Sequence, residues 1–177
     1  MMKQIVDIIT KLLFSGKDRA FPVPVAKVPA APKKASPLVS EKDGYFVWDK
    51  GVVAPLSPHF STREMTCRCK INTCKEQRIS KDLIARLEKV RQDLGEPMIT
   101  TSAYRCTEYQ AQLRAAGVNT VVAKKSTHEL GNAVDVVPKS GMSDKFEPIC
   151  AKYFKSIGLS TKFLHLDLRP GFKRWKY

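Results

Sequence analysis

A chain of 177 residues, 43% apolar and 27% charged, is long enough to bury one core and too apolar to be disordered throughout. Its 31 Lys and Arg against 17 Asp and Glu leave a formal charge of +14, which calls for an anionic partner: nucleic acid, an anionic membrane or an anionic wall polymer. No apolar run approaches the roughly 18 residues that a membrane-spanning helix needs, and the sequence reads as lacking a Sec-type export signal, so synthesis in the cytoplasm is the expectation.

Ile5, Ile8, Ile9, Leu12 and Leu13 recur with helical spacing and predict an amphipathic helix over residues 1–17. So short a helix is marginal alone and needs a surface to pack on. Its own domain, a second copy of the chain, another protein and a membrane surface are the candidates, and packing on protein is the expectation because the polar face carries few basic residues. Residues 18–44 read as a linker, because Pro22, Pro24, Pro29, Pro32 and Pro37 favour an extended spacer. The globular part is expected over residues 45–177.

Within it, Ser80 is placed to cap a helix whose stripe is Leu83, Ile84, Leu87, Val90 and Leu94, with Gly95 closing it. Pro97 to Ala103 reads as a strand, Thr107 to Ala116 as a second helix stopped by Gly117, and Asn132 to Val137 as a short apolar strand. A third helix, capped by Ser143, is expected to bury Phe146, Ile149, Cys150, Tyr153, Phe154 and Ile157 and to end at Gly158. Lys162 to Leu168 alternates as a final strand. This mixture predicts an α+β fold: a small, mostly antiparallel sheet with flanking helices.

The cysteines number five, so complete internal pairing is impossible. Cys67, Cys69 and Cys74 cluster in sequence, while Cys106 and Cys150 stand apart. Three thiols are one short of a structural metal set, and spacing alone points to no fourth. Reduced thiols, or one disulfide in an oxidising compartment, are the plainer reading.

Two stretches carry more chemistry. They are Ser126-Thr127-His128-Glu129-Leu130-Gly131-Asn132-Ala133-Val134-Asp135 and Phe163-Leu164-His165-Leu166-Asp167. Alternate residues of a strand share a face, so Asp135 points away from Val134 and Val136, and His165 away from Leu164 and Leu166. If the two strands are neighbours, His128, Asp135 and His165 converge, and two imidazoles with one carboxylate match a catalytic zinc site that keeps a position open for water. The competing reading is a hydrogen-bonded histidine in each strand with no metal.

The pattern Ser-x-His-x-x-Gly-x-Ala-x-Asp, followed by an apolar strand with His-x-Asp, resembles the zinc D-Ala-D-Ala peptidases, in the A-like branch of the M15 peptidases. That family includes VanX-type dipeptidases, D,D-carboxypeptidases and several bacteriophage endolysins, and the hedgehog signalling domain shares its fold. The resemblance runs from about Leu56 to Tyr177. Leu56-Ser57-Pro58-His59-Phe60 is similar to the family's entry segment, Thr100 to Cys106 to its Ser-Gly-Tyr-Arg strand end, and Arg169 with Arg174-Trp175-Lys176-Tyr177 to its closing segment.

The resemblance implies Zn2+ held by His128, Asp135 and His165. It implies Arg105 as the anchor for substrate or for developing negative charge, a task suited to a permanently charged, forked donor. Ser126 is either a donor to a substrate carboxylate or the cap of the turn before His128. His59 reads as structural. One departure stands out: many relatives carry an acidic general base three residues before the second zinc histidine, where this chain has Lys162, and others carry a histidine where it has Phe163. Asp167, two along from His165 on the same face, is the favoured base, ahead of Glu129. An orienting role for Asp167, or the absence of a base, is the other reading.

The function implied is hydrolysis of peptide bonds next to D-amino acids in peptidoglycan, as a D,D- or L,D-carboxypeptidase or endopeptidase. The setting implied is a phage lysis enzyme or a virion-associated one acting on the anionic wall, with residues 1–17 docked to a virion or tail protein or to a second copy. The alternative is a non-catalytic zinc-fold component of a phage particle. Nucleic-acid binding rests on charge alone, with no recognisable motif.

Overall fold

The structure is a computed structural model and describes residues 38–116 and 126–177. The helix expected over residues 1–17 and most of the 18–44 linker lie outside the described residues. The described residues form an α+β fold with two sheets and four helices.

The first sheet has the order β1-β2-β3, from β1 (Val39–Lys42), β2 (Tyr45–Asp49) and β3 (Glu76–Ser80), all antiparallel. The linker therefore ends earlier than residue 44. Asp43 and Gly44 both have positive φ, 50° and 83°, and join paired Lys42 and Tyr45. An Asp-Gly pair with that backbone is a two-residue hairpin turn that matches the twist of the strands. Val39 lies opposite Trp48, and both are buried in the main core.

A short helix α1 (Thr62–Met65) precedes β3, and α2 (Lys81–Leu94) follows it. The reading of α2 holds at both ends: the Ser80 hydroxyl accepts from the Leu83 N–H, and Gly95 takes the left-handed conformation while its N–H bonds the Arg91 carbonyl. Leu83, Ile84, Leu87 and Val90 are buried. Helix α3 (Thr107–Ala115) also forms where expected.

The second sheet has the order β4-β5-β7-β6-β8, from β4 (Met98–Ser102), β5 (Ala133–Pro138), β6 (Ser156–Leu159), β7 (Leu164–Asp167) and β8 (Lys173–Lys176). All its pairs are antiparallel except β6 with β8. One face carries Val134, Val136, Ile157, Leu164 and Leu166 into the core shared with α2, Phe146 and Phe154. The apolar alternation read from the sequence is this face.

The structure departs from the sequence pattern at two further points. The third helix, α4 (Phe146–Ala151), is only six residues long and starts from Lys145, not Ser143. Beyond it Lys152 and Tyr153 donate to carbonyls three residues back, and the chain turns out at Phe154 to enter β6. Ile157 and Gly158 are therefore strand residues: a helical apolar period continued across a helix-to-strand junction. Nor is β7 the last strand, since the closing segment folds back as β8 beside β6. No helix among the described residues is long and apolar enough to cross a membrane.

Candidate metal centre and active site

The strand registers place one row of residues straight across the second sheet. Ser102 of β4 lies opposite Asp135 of β5, Asp135 opposite His165 of β7, His165 opposite Gly158 of β6, and Gly158 opposite Trp175 of β8. The core takes the alternate residues, so this row stands on the other face. Polar side chains there need partners or a ligand.

His128 reaches the row from the turn before β5. The Ser126 hydroxyl accepts from the His128 N–H at 3.3 Å, and the Glu129 carboxylate accepts from the Ser126 N–H at 3.1 Å. Both side chains therefore serve the turn. Gly131 closes it with φ of 72°, and a Cβ there would stand 2.7 Å from the Arg78 carbonyl oxygen of β3. Only glycine lets the turn lie so close to that strand.

His128, Asp135 and His165 come together as the sequence reading required, all buried. Asp135 Oδ1 is 2.8 Å from His165 Nδ1 and 3.3 Å from His128 Nε2, and the two nitrogens are 3.1 Å apart. Ligands about 2.05 Å from a tetrahedral zinc sit about 3.3 Å from one another, so the triangle has the size of a zinc-ligand face. Its chemistry fits as well. His128 Nδ1–H donates to the Ala103 carbonyl at 2.6 Å, and His165 Nε2–H donates to Asp167 Oδ2 at 3.1 Å. Those bonds place each ring proton on the outer nitrogen. Two imidazole lone pairs and a carboxylate oxygen then converge, an arrangement that a cation satisfies.

The three groups are electrostatically coupled. Burial opposes ionisation of Asp135, but His128 and His165 outweigh it and hold the carboxyl well below the usual carboxylate range. Burial lowers the pKa of His128 and favours its neutral, ligating form, whereas at His165 burial is outweighed by the Asp135 and Asp167 carboxylates, which raise it, so a cation bound there displaces a proton from His165.

Arg105 donates from Nη2 to Asp135 Oδ2 at 2.6 Å, from Nε to the Ser102 hydroxyl at 2.8 Å and from Nη1 to Gln110 at 3.4 Å. One carboxylate oxygen is thus fixed by the guanidinium, and the other is left for the metal site. Asp167 lies on the far side of His165. It bonds the outer nitrogen of His165, so the imidazole ring stands between it and the ligand triangle. It also accepts from Arg169 Nε at 2.9 Å and from the Arg169 N–H at 2.9 Å. These donors outweigh burial and keep Asp167 ionised. Lys162 is exposed, and His59 pairs with Glu88 at 2.7 Å, far from this chemistry in role.

The sequence reading gave no role to the wall beside His165. The Trp175 ring is 5.4 Å from the His165 ring and the Tyr177 ring 6.4 Å, with Phe163 packed on Tyr177 at 5.5 Å and the Arg169 guanidinium 4.8 Å over Trp175. Gly158 makes the wall possible: a Cβ there would meet Trp175 ring carbons at 2.6 Å. That glycine read as a helix stop, so its purpose was hidden.

A family model described as Peptidase M15 matches residues 58–167, well over half the chain, and the match spans His128, Asp135, His165, Arg105, Ser126 and Asp167. Searches of curated proteins and of solved structures find no match.

Proposed function

The chain belongs to the peptidase M15 family of zinc-dependent peptidases, and we propose that it cuts peptide bonds next to D-amino acids in the stem peptides or cross-links of peptidoglycan. The observation that carries this reading is the convergence of His128 Nε2, His165 Nδ1 and Asp135 Oδ1, each held by a partner on its far side. A zinc ion bound there would act as a Lewis acid and lower the pKa of a bound water. The ligands' supports are this chain's own: the Ala103 carbonyl fixes the His128 tautomer, Asp167 fixes that of His165, and Arg105 holds the Asp135 carboxylate in one orientation.

Arg105 uses three of its five N–H donors on Ser102, Gln110 and Asp135. The other two are those that a substrate carboxylate or a developing oxyanion would take. Ser126 keeps its hydroxyl proton for a substrate acceptor, because its oxygen accepts from His128. The Trp175 and Tyr177 rings supply an apolar wall beside His165. We assign Asp167 the role of orienting His165, whose outer nitrogen it holds, in place of the role of base.

The +14 charge supports an anionic wall polymer as the target. A phage lysis or virion-associated enzyme, made in the cytoplasm and docked through residues 1–17, is the biological setting that we propose. The second reading, a non-catalytic zinc-fold component of a phage particle, draws on Lys162 at the position where an acid was expected. Digesting purified peptidoglycan and identifying the released peptides by mass spectrometry separates the two. New amino termini or lost terminal D-residues, abolished by a chelator and restored by zinc, support the peptidase. An intact wall with zinc-loaded protein supports the structural component.

A further inference from the structure

The structure brings a fourth thiol to the three clustered ones. The Sγ atoms of Cys67, Cys69, Cys74 and Cys106 all lie within 4.8 Å of one another, and all four residues are buried. Cys106 arrives from 32 residues beyond Cys74, as the cap residue of α3. We propose that these four cysteines bind a second zinc ion, structural and separate from the site of His128, Asp135 and His165.

Geometry, hydrogen bonding and location carry the proposal. Four sulfurs at about 2.3 Å from a tetrahedral zinc stand about 3.8 Å apart. Cys106 Sγ and Cys69 Sγ are 3.7 Å apart. Each sulfur also faces a donor, as thiolate ligands do. Lys50 Nζ is 3.0 Å from Cys69 Sγ, Gln77 Nε2 is 3.3 Å from Cys74 Sγ, the Cys106 N–H donates to Cys67 Sγ at 3.3 Å, and the Tyr109 backbone donates to Cys106. Four thiolates around a dication leave a net negative site, and the Lys50 ammonium offsets part of it. The loop between α1 and β3 that holds three of these cysteines has almost no regular structure. A metal cross-link gives it what a small core does not.

The location gives the site its purpose. Residues 103–106 carry three successive contacts: Ala103 accepts from His128, Arg105 holds Asp135, and Cys106 joins the thiol cluster. The Tyr104 N–H bonds the carbonyl of Met65, the last residue of α1, where the cysteine loop begins. The thiolate site thus clamps the segment that orients two ligands of the other centre.

The test is metal analysis of the full chain purified without added metal, alongside His165→Ala and a Cys69→Ser/Cys74→Ser variant. Two zinc ions per wild-type chain, one in His165→Ala and no more than one in the double serine variant are expected. Cobalt exchanged into wild type and His165→Ala should show a thiolate-to-metal charge-transfer band in the near ultraviolet. Both measurements on His165→Ala leave the thiols intact, so the proposal stays testable if the serine variant does not fold. One zinc per wild-type chain with the thiolate band present supports this site and counts against the histidine centre. Metal-free His165→Ala, with reactive thiols in the native state or a mass lowered by disulfide formation, overturns it.

Discussion

Asp167→Asn separates the two roles open to this side chain. In the structure Asp167 is fully buried and accepts from His165 Nε2 at 3.1 Å and from the Arg169 N–H and Nε at 2.9 Å each. Asparagine keeps the shape and loses the charge. With its amide oxygen on the Oδ2 side it still accepts from His165 and the Arg169 guanidinium, but its NH2 then confronts the Arg169 backbone N–H, and in either orientation the negative charge that polarises His165 is gone. The main loss is therefore the orientation and basicity of His165. Removing such an outer partner of a metal ligand typically costs about 10–100-fold in metal affinity, or about 1.4–2.7 kcal/mol. The assay is zinc affinity by competition with a chromophoric chelator, paired with turnover of a soluble peptidoglycan peptide at saturating zinc. Zinc affinity should fall by that factor, and turnover at saturation should return to within about tenfold of wild type. A general base shows the reverse: zinc affinity unchanged and turnover lower by about 10²–10⁴-fold at every zinc concentration. That outcome would refute the placement of Asp167 behind His165.

Gly158→Ala should leave the fold in place but displace Trp175, whose ring carbons lie 2.6 Å from the new Cβ; KM for wall peptides should rise more than kcat falls, measured by steady-state kinetics. Gly131→Ala combines a left-handed backbone with a 2.7 Å approach to the Arg78 carbonyl, so it should cost about 2 kcal/mol or more and lower the melting temperature by several degrees in a thermal scan. Deleting residues 1–37 should preserve hydrolysis of soluble peptides, whereas deleting residues 1–44 removes β1 and the buried Val39 and should lower thermal stability; equal stability of the two truncations would contradict the hairpin's place in the core. Dialysis against a strong chelator should abolish activity, with recovery on adding zinc, read by the same peptide assay.

Local signals in the sequence fared best where one residue acts through its own backbone. Ser80 and Gly95 bound α2 because a hydroxyl cap and a left-handed glycine work within one turn of the chain. Alternation separated Val134 and Val136 from Asp135, and Leu164 and Leu166 from His165, so the histidines and the carboxylate could be assigned to one face before their strands were known to pair. Period failed at Ile157, because an apolar residue that fits a helical stripe also fits the core face of a strand. The Asp43-Gly44 turn was legible in principle, but the proline density before it drew the linker too far.

What spacing could not reveal is what only tertiary structure joins. Asp135 and His165 are 30 residues apart and become direct neighbours through β5–β7 pairing; Gly158 and Trp175 complete their row from a parallel pair that no hairpin signal announces. Cys106 meets Cys69 across 37 residues in the same way. The segment 103–106 links these distant meetings. It leaves β4 beside Asp135, gives one carbonyl and one guanidinium to the ligands, and ends in a thiol of the cysteine cluster. An edge that must deliver two orienting contacts to a buried site has to be stiff. Here the stiffness comes from its attachments, because Tyr104 to Cys106 form no regular structure of their own.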